Sequence, residues 1–400
     1  MILRGGVLFL ALAVCVPAAA SDIELVKDKR GQWRMRVDGK NYFIRGVDYR
    51  YSRIGESPDD GTLRDWAGYD FDNNGKNDPA YDAWVDANKN GARDADEPAA
   101  GDFELLRRMG CNTIRWYVND AARQAAPKAL LRDLFKTYGI RVAVGDKFGA
   151  YTIGSGAAWK DGTDYRDARQ QDSMLASVRR MVDEHKTEPY TLIWLLGNEN
   201  NLRFTNTNAA RYPLEYAQFI NRAAKMIHEM DPTHPVALVN GDTQMMNYYK
   251  KYCPDVDIFG TNVYRGPKGF GSLWKEVSAQ LGKPVLVTEY GGSAAHGDDE
   301  DAQAAYHRAS WLDIWANRAG HGQGNALGGI AFEWADEWWK AGEPSKHAGI
   351  GTVGKQGVGA AGWNQEYCGI TAQGDGKQSP FLRQLRKVYF MYQKLWNGTA

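Results

Sequence analysis

Hydrophobic and polar positions along this chain switch repeatedly between two periods. Short apolar or β-branched runs at residues 43–48, 112–117, 141–145, 192–198, 236–240, 257–262, 285–289 and 329–334 predict strands. Longer stretches between and after them repeat apolar residues every three or four positions. They predict amphipathic helices at 128–138, 173–185, 214–230, 272–281, 301–318 and 380–396. Strands alternating with helices eight times over predict an α/β chain whose parallel sheet closes into a (β/α)₈ TIM barrel. Residues 23–46 ahead of the barrel read as short N-terminal β-strands with a tight turn at Asp38-Gly39-Lys40. Two connections are long: 50–100 after strand 1, and 335–379 after strand 8, which is glycine-rich and carries Trp338, Trp339 and Trp363. Long loops at this position shape a cleft.

Polar, aromatic and acidic residues collect where the predicted strands end: Asp48-Tyr49, Arg115-Trp116-Tyr117, Asn198-Glu199, Asn262 with Tyr264, Glu289-Tyr290 and Glu333-Trp334. In a (β/α)₈ barrel the chemistry sits at that end. Two of these strands share a form. Leu192-Ile193-Trp194-Leu195-Leu196-Gly197 runs into Asn198-Glu199, and Val285-Leu286-Val287-Thr288 runs into Glu289-Tyr290-Gly291. Glycosidic cleavage with retention needs two carboxyls flanking the anomeric carbon, one protonated and one ionised. The fourth and seventh strands of eight face each other across a barrel, so both acids reach one sugar ring. Asn198 is placed to hold the 2-hydroxyl, whose hydrogen bond tightens in the transition state.

These motifs resemble the clan A glycoside hydrolases from about Tyr42 to Trp339. The likeness takes in Phe43-Ile44-Arg45-Gly46-Val47-Asp48-Tyr49, Asn112-Thr113-Ile114-Arg115, Asn262-Val263-Tyr264 and Phe332-Glu333-Trp334. Within the clan the chain looks most like the β-1,3-glucanosyltransferases of family 72 and the catalytic barrels of family 2, although it lacks the cysteine framework of family 72. The resemblance implies Glu199 as acid/base and Glu289 as nucleophile. It implies that Arg115 supports the nucleophile, Tyr264 hydrogen-bonds it and Trp334 forms the sugar platform. Asn262 and Tyr49, at their strand ends, complete the expected substrate-binding set. Glu333, Asp336 and Glu337 are expected to be solvated or structural.

Composition narrows the reading without changing it. Lys plus Arg and Asp plus Glu number 49 each, so no net charge draws the chain to nucleic acid or an anionic membrane. The 14 Trp and 21 Tyr suit stacking on sugar faces. Arg4, the apolar run 7–16 and Ala18-Ala19-Ala20 before Ser21 read as a cleaved signal peptide over residues 1–20, with a lipid anchor at Cys15 the lesser alternative. The expected location is therefore secreted or periplasmic, with residues 21–400 forming one catalytic barrel. Cys111, Cys253 and Cys368 show no metal-ligand spacing and read as buried small hydrophobes.

An acidic insertion occupies residues 51–100. Asp86, Asn88, Asn90, Gly91, Ala92, Asp94 and Glu97 fall at positions one, three, five, six, seven, nine and twelve of a calcium loop. Asp70, Asp72, Asn74, Gly75, Lys76 and Asp78 repeat the first nine positions, then Tyr81 stands where the Glu belongs and Asp82 comes one residue late. The expectation is structural Ca²⁺ stiffening a loop beside the cleft, with no organic cofactor. The expected activity is retaining hydrolysis or transglycosylation of a β-linked glucan or related polysaccharide. Alternatives are a non-catalytic carbohydrate-binding barrel tied to an envelope polysaccharide system, and a calcium-dependent adhesion protein. Sugar, linkage and oligomeric state stay open.

Overall fold

The computed structural model describes residues 22–118, 128–294, 299–340, 342–348 and 364–398. The expected signal peptide and Trp363 lie outside these residues. Strands β1 (Ile23–Lys27), β2 (Trp33–Val37) and β3 (Lys40–Tyr42) form an antiparallel meander. The barrel strands are β4 (Ile44–Asp48), β6 (Thr113–Tyr117), β7 (Arg141–Asp146), β8 (Thr191–Leu196), β9 (Val236–Gly241), β10 (Ile258–Asn262), β11 (Val285–Tyr290) and β12 (Ala326–Ala331). They pair in parallel and close as β10-β11-β12-β4-β6-β7-β8-β9, the eight-stranded barrel the sequence predicts. Two-residue β5 (Trp84–Val85) lies in the first long loop, while β13 (Thr371–Ala372) and β14 (Leu382–Leu385) lie in and just after the second.

Burial explains the composition of the barrel. β8 and β11 are buried at every position, as strands covered on both faces must be, and so read as near-continuous apolar runs. Ile23, Met35 and Val37 of the meander pack with Ile44, Leu192, Ile258, Leu286 and Leu327. The helices are α1 (Asp102–Met109), α2 (Lys128–Tyr138), α3 (Ala168–His185), α4 (Pro213–Met230), α5 (Met246–Tyr252), α6 (Leu273–Gln280), α7 (Glu300–Ala316) and α8 (Lys387–Gly398). α3 opens at Asp167, whose carboxylate caps the N–H groups of Arg169 and Gln170. α4 opens on Pro213, where no N–H is needed.

The predicted helix over 380–396 is corrected. Its first part is strand β14, which pairs with β5, and the helix starts only at Lys387. Arg383 explains the difference: it is fully buried and forks onto the Asp102 carboxylate at 2.7 and 2.8 Å, pinning the segment extended beside β5. The β13-β14-β5 sheet thereby ties the first long loop to the chain following the second. Cys111, Cys253 and Cys368 are free and buried, as expected. No described helix is long and apolar enough to cross a membrane.

Candidate active site

The ends of the barrel strands open into one cavity of about 710 Å³. Glu199 and Glu289 both line it, together with Asn198, Tyr264, Asp48, Tyr117, Lys147 and Phe332. The local backbone sets Glu199 in place. Gly197 has φ +83°, and a Cβ there would stand 2.4 Å from Asn200 Oδ1, so the turn leaving β8 requires glycine. Glu199 itself holds the left-handed conformation at φ 57°, which costs a non-glycine residue on the order of 1 kcal/mol. Its N–H donates to Val239 O at 3.0 Å, and its carbonyl accepts from Leu202 N at 2.7 Å. Neighbouring chain thus fixes a conformation that aims the acid at the cavity.

The two carboxyls sit in different electrostatic surroundings. Glu289 Oε1 accepts from Arg115 Nη1 at 2.7 Å, and Oε2 accepts from the Tyr264 hydroxyl at 2.8 Å. Both oxygens accept, as an ionised carboxylate does. Glu199 is pushed up to about 8, chiefly by burial and then by the charge of Glu289, against smaller opposing effects of Arg115 and an Asn262 hydrogen bond. At neutral pH one carboxyl therefore carries a proton beside another gripped by a cation.

The expected supporting residues divide into two groups. Asn198 and Tyr264 reach the cavity. Arg115 and Asn262 lie behind it, 1% and 2% exposed, and touch it only through their neighbours. Arg115 Nη2 donates to Asn198 Oδ1 at 2.6 Å and to the Tyr117 hydroxyl at 2.7 Å, which in turn donates to Gly197 O at 2.8 Å. Asn262 Nδ2 donates to Asn198 Oδ1 at 3.1 Å, while its Oδ1 accepts from Thr288 at 2.8 Å. Asn198 Oδ1 is thus occupied by two donors from the barrel wall.

Trp334 and Tyr49 are corrected. Trp334 is fully buried and packs on Tyr49 and Tyr389, so it is core and not a platform. β12 ends at Ala331, and beyond it the two-residue alternation no longer decides which side chains face the lumen; Phe332 lines the cavity instead. Tyr49 is also buried, its hydroxyl donating to Asp102 at 2.9 Å, while Asp48 one residue earlier takes the cavity-facing place. Burial raises the Asp48 carboxyl, with Arg115 opposing it. Glu333, Asp336 and Glu337 are structural but not solvated: Asp336 pairs with Arg386 at 2.7 Å, and Arg50 and Lys340 hold Glu337. Trp339, in the long loop after strand 8 expected to shape the cleft, lines the cavity, whereas the sequence reading passed over Lys147, Tyr151, Trp159 and Phe204. Lys147 lies two residues past the predicted strand 141–145 and directly after β7, within reach of the same strand-end rule, but the loop aromatics carry no periodic signal.

A model of the glycosyl hydrolases family 2 TIM barrel domain matches residues 90–351. The chain belongs to glycosyl hydrolase family 2. Of the two families the sequence resembles, this is the one matched. Solved family structures share the fold at low identity. The Dictyoglomus thermophilum β-D-glucuronidase is 16% identical with a TM-score of 0.57, over 95% of this chain and 54% of that one. A Bacteroides uniformis β-glucuronidase is 18% identical with a TM-score of 0.58, over 92% and 37%. A β-galacturonidase from Eisenbergiella tayi, bound to galacturonate, is 14% identical with a TM-score of 0.56, over 95% and 54%. The chain thus spans about half or less of the length of these proteins.

The acidic insertion contributes Pro58, Asp59 and Leu63 to the cavity wall, and its two acidic loops are held by internal hydrogen bonds. In the 86–97 loop, Asp86 accepts from Asn90 N and Gly91 N, and Glu97 accepts from Ala87 N at 2.7 Å and Asp94 N at 3.0 Å. Asn88 and Asn90 both donate to Asp94 Oδ2, and Ala92 N donates to Asn90 Oδ1. In the earlier loop, Asp70, Asp72 and Asp78 bring ligand atoms within 4.8 Å of one another.

Proposed function

We propose that this chain is a retaining glycosidase of family 2 acting on a β-linked polysaccharide, with Glu289 as nucleophile and Glu199 as general acid and then base. The observation that carries the reading is the pair itself. Glu289 is held by Arg115 and Tyr264, and Glu199 is kept protonated, on the walls of one cavity.

The chemistry follows from that arrangement. Glu289 attacks the anomeric carbon while Glu199 gives its proton to the departing oxygen, leaving a glycosyl ester on Glu289. Once that ester forms, the charge that helped raise Glu199 is gone, so its affinity for a proton falls. Glu199, now ionised, takes a proton from the incoming water or sugar hydroxyl. Arg115, bonded to both Glu289 and Asn198, ties the nucleophile to the residue that meets the 2-hydroxyl.

Aromatic side chains around the rim support a polymeric sugar. Trp159 is 62% exposed and Phe204 37%, and both line the cavity with Trp339 and Tyr151. Exposed aromatic faces beside a cleft suit stacking on sugar C–H faces. A glucan is the first substrate to try, and transfer to a sugar acceptor the alternative to hydrolysis. The leader-like N-terminus supports action outside the cytoplasm.

The test is product analysis by ¹H NMR on β-glucans, mannans, galactans and, because of the structural neighbours, β-uronides. Release of a product that is first β supports the reading. A first-formed α product contradicts it, as does no turnover on any β-glycoside.

A further inference from the structure

The 70–82 loop shows something its sequence alone conceals. It departs from a calcium loop because position twelve is Tyr81, with the next acid, Asp82, one residue late. Residues Asp78–Asp82 form a π turn in which Ala83 N donates to Asp78 O at 2.9 Å. A π turn takes one more residue than an α turn to close. That extra residue swings Tyr81 away and brings Asp82 back to the loop. The Tyr81 hydroxyl donates to Asp133 at 2.6 Å and its ring packs edge-on to Phe103, whereas Asp82 Oδ2 accepts from Asn74 Nδ2 at 3.0 Å. The late acid is thereby brought against Asn74 at the fifth position of the loop, which Tyr81 does not reach.

A second observation points to a ligand. Asp78 is fully buried; its Oδ2 accepts from Phe71 N at 2.8 Å, but its Oδ1 is shut from solvent without any hydrogen-bond partner. Its carboxyl belongs to the group whose ligand atoms lie within 4.8 Å of one another. An orphaned buried carboxylate oxygen among three other acids is costly unless a cation joins it.

We propose that residues 70–82 form a calcium site, with Asp70, Asp72, Asn74, Asp78 and Asp82 as side-chain ligands and the Lys76 carbonyl as the sixth oxygen. Six oxygens of mixed carboxylate, amide and backbone type suit Ca²⁺, whereas Mg²⁺ demands a stricter octahedron and keeps its waters. The site braces the cleft wall. Phe71, inside the loop, is covered by the guanidinium groups of Arg53 at 4.4 Å and Arg64 at 4.6 Å. Arg64 pairs with Glu56 at 2.8 Å, and Pro58, Asp59 and Leu63 of the same segment line the cavity.

The experiment is calorimetric titration of metal-stripped full-length protein with CaCl₂ and with MgCl₂, without any substrate. Asp78→Asn and Asp82→Asn should each lose one calcium equivalent, or bind it roughly tenfold or more weakly. Asp82→Asn combined with Tyr81→Glu should not recover binding, since residue 81 faces Asp133. Stripped Asp78→Asn should melt no lower than stripped wild type, because it removes a buried charge, yet gain less on calcium addition; that melt also shows the variant is folded. The proposal is overturned if stripped wild type takes up no calcium, or if both single variants bind as many ions as wild type with unchanged affinity. Loss in Asp78→Asn with full binding in Asp82→Asn overturns the role of the π turn.

Discussion

Arg115 Nη1 lies 2.7 Å from Glu289 Oε1, and this buried pair joins the second barrel strand to the seventh at the cavity wall. The same Nη1 donates to Thr288 O at 2.9 Å, so the guanidinium grips both the Glu289 carboxylate and the backbone that carries it. Arg115→Lys keeps the charge but not the fork. It should lower kcat by more than it raises KM, because the contact to Glu289 matters most while the glycosyl ester forms. A change confined to KM in steady-state kinetics would contradict this.

Tyr264 supplies the other donor to Glu289, and Tyr264→Phe removes that donor while keeping the ring. A hydrogen bond to a charged group contributes about 1.5–3 kcal/mol, which corresponds to a loss in kcat/KM of roughly 10- to 100-fold. The melting temperature should move little, since the hydroxyl faces the cavity. An unchanged kcat/KM would remove Tyr264 from the nucleophile's support.

With Glu199 as the proposed general acid, its protonation should set the basic limb of activity. Raised to about 8, this acid is lost as general acid above that pH, so the rate should fall there. Substrates with strongly activated leaving groups need no proton, and their glycosylation step should lose the basic limb in Glu199→Gln. Stability gives an independent check. The folded protein holds this proton between the ordinary carboxylate range and about pH 8 while the unfolded chain has lost it, so stability falls as pH rises through that window. Glu199→Gln should therefore melt above wild type by a margin that grows from about pH 4.5 to pH 8 and vanishes below it. A margin independent of pH would contradict the raised value.

The two tryptophan positions make opposite predictions. Trp159→Ala should raise KM for polymeric substrate several-fold with an unchanged melting temperature, because the ring is exposed at the cleft. Trp334→Ala empties a fully buried site and should cost about 3–5 kcal/mol of stability. Paired melts and kinetics on the two variants decide whether the platform and core roles are assigned the right way round.

Legibility in the sequence followed how local each signal was. β8 and β11 are covered on both faces, with Glu199 three residues past the end of β8 and Glu289 next to last in β11, so their apolar runs marked both the strands and the two acids. Residue 334 failed as a platform because strand alternation holds only to Ala331, after which tertiary packing chooses which aromatic faces the lumen. The 380–396 segment has helical spacing throughout, yet the long-range Arg383–Asp102 pair holds its start as a strand. Lys147 lay beside a predicted strand end and was legible. Trp159 and Phe204 were not, because loop geometry alone brings them to the cavity.

The most direct test of the central claim is Glu289→Ala assayed on an activated β-glycoside with and without azide. The account predicts a fall in kcat on the order of 10⁴-fold or more. It also predicts partial recovery with azide and an α-glycosyl azide as product, since the small anion enters from the face that Glu289 vacates. Wild-type turnover in Glu289→Ala, or a β-glycosyl azide as the rescued product, would contradict it.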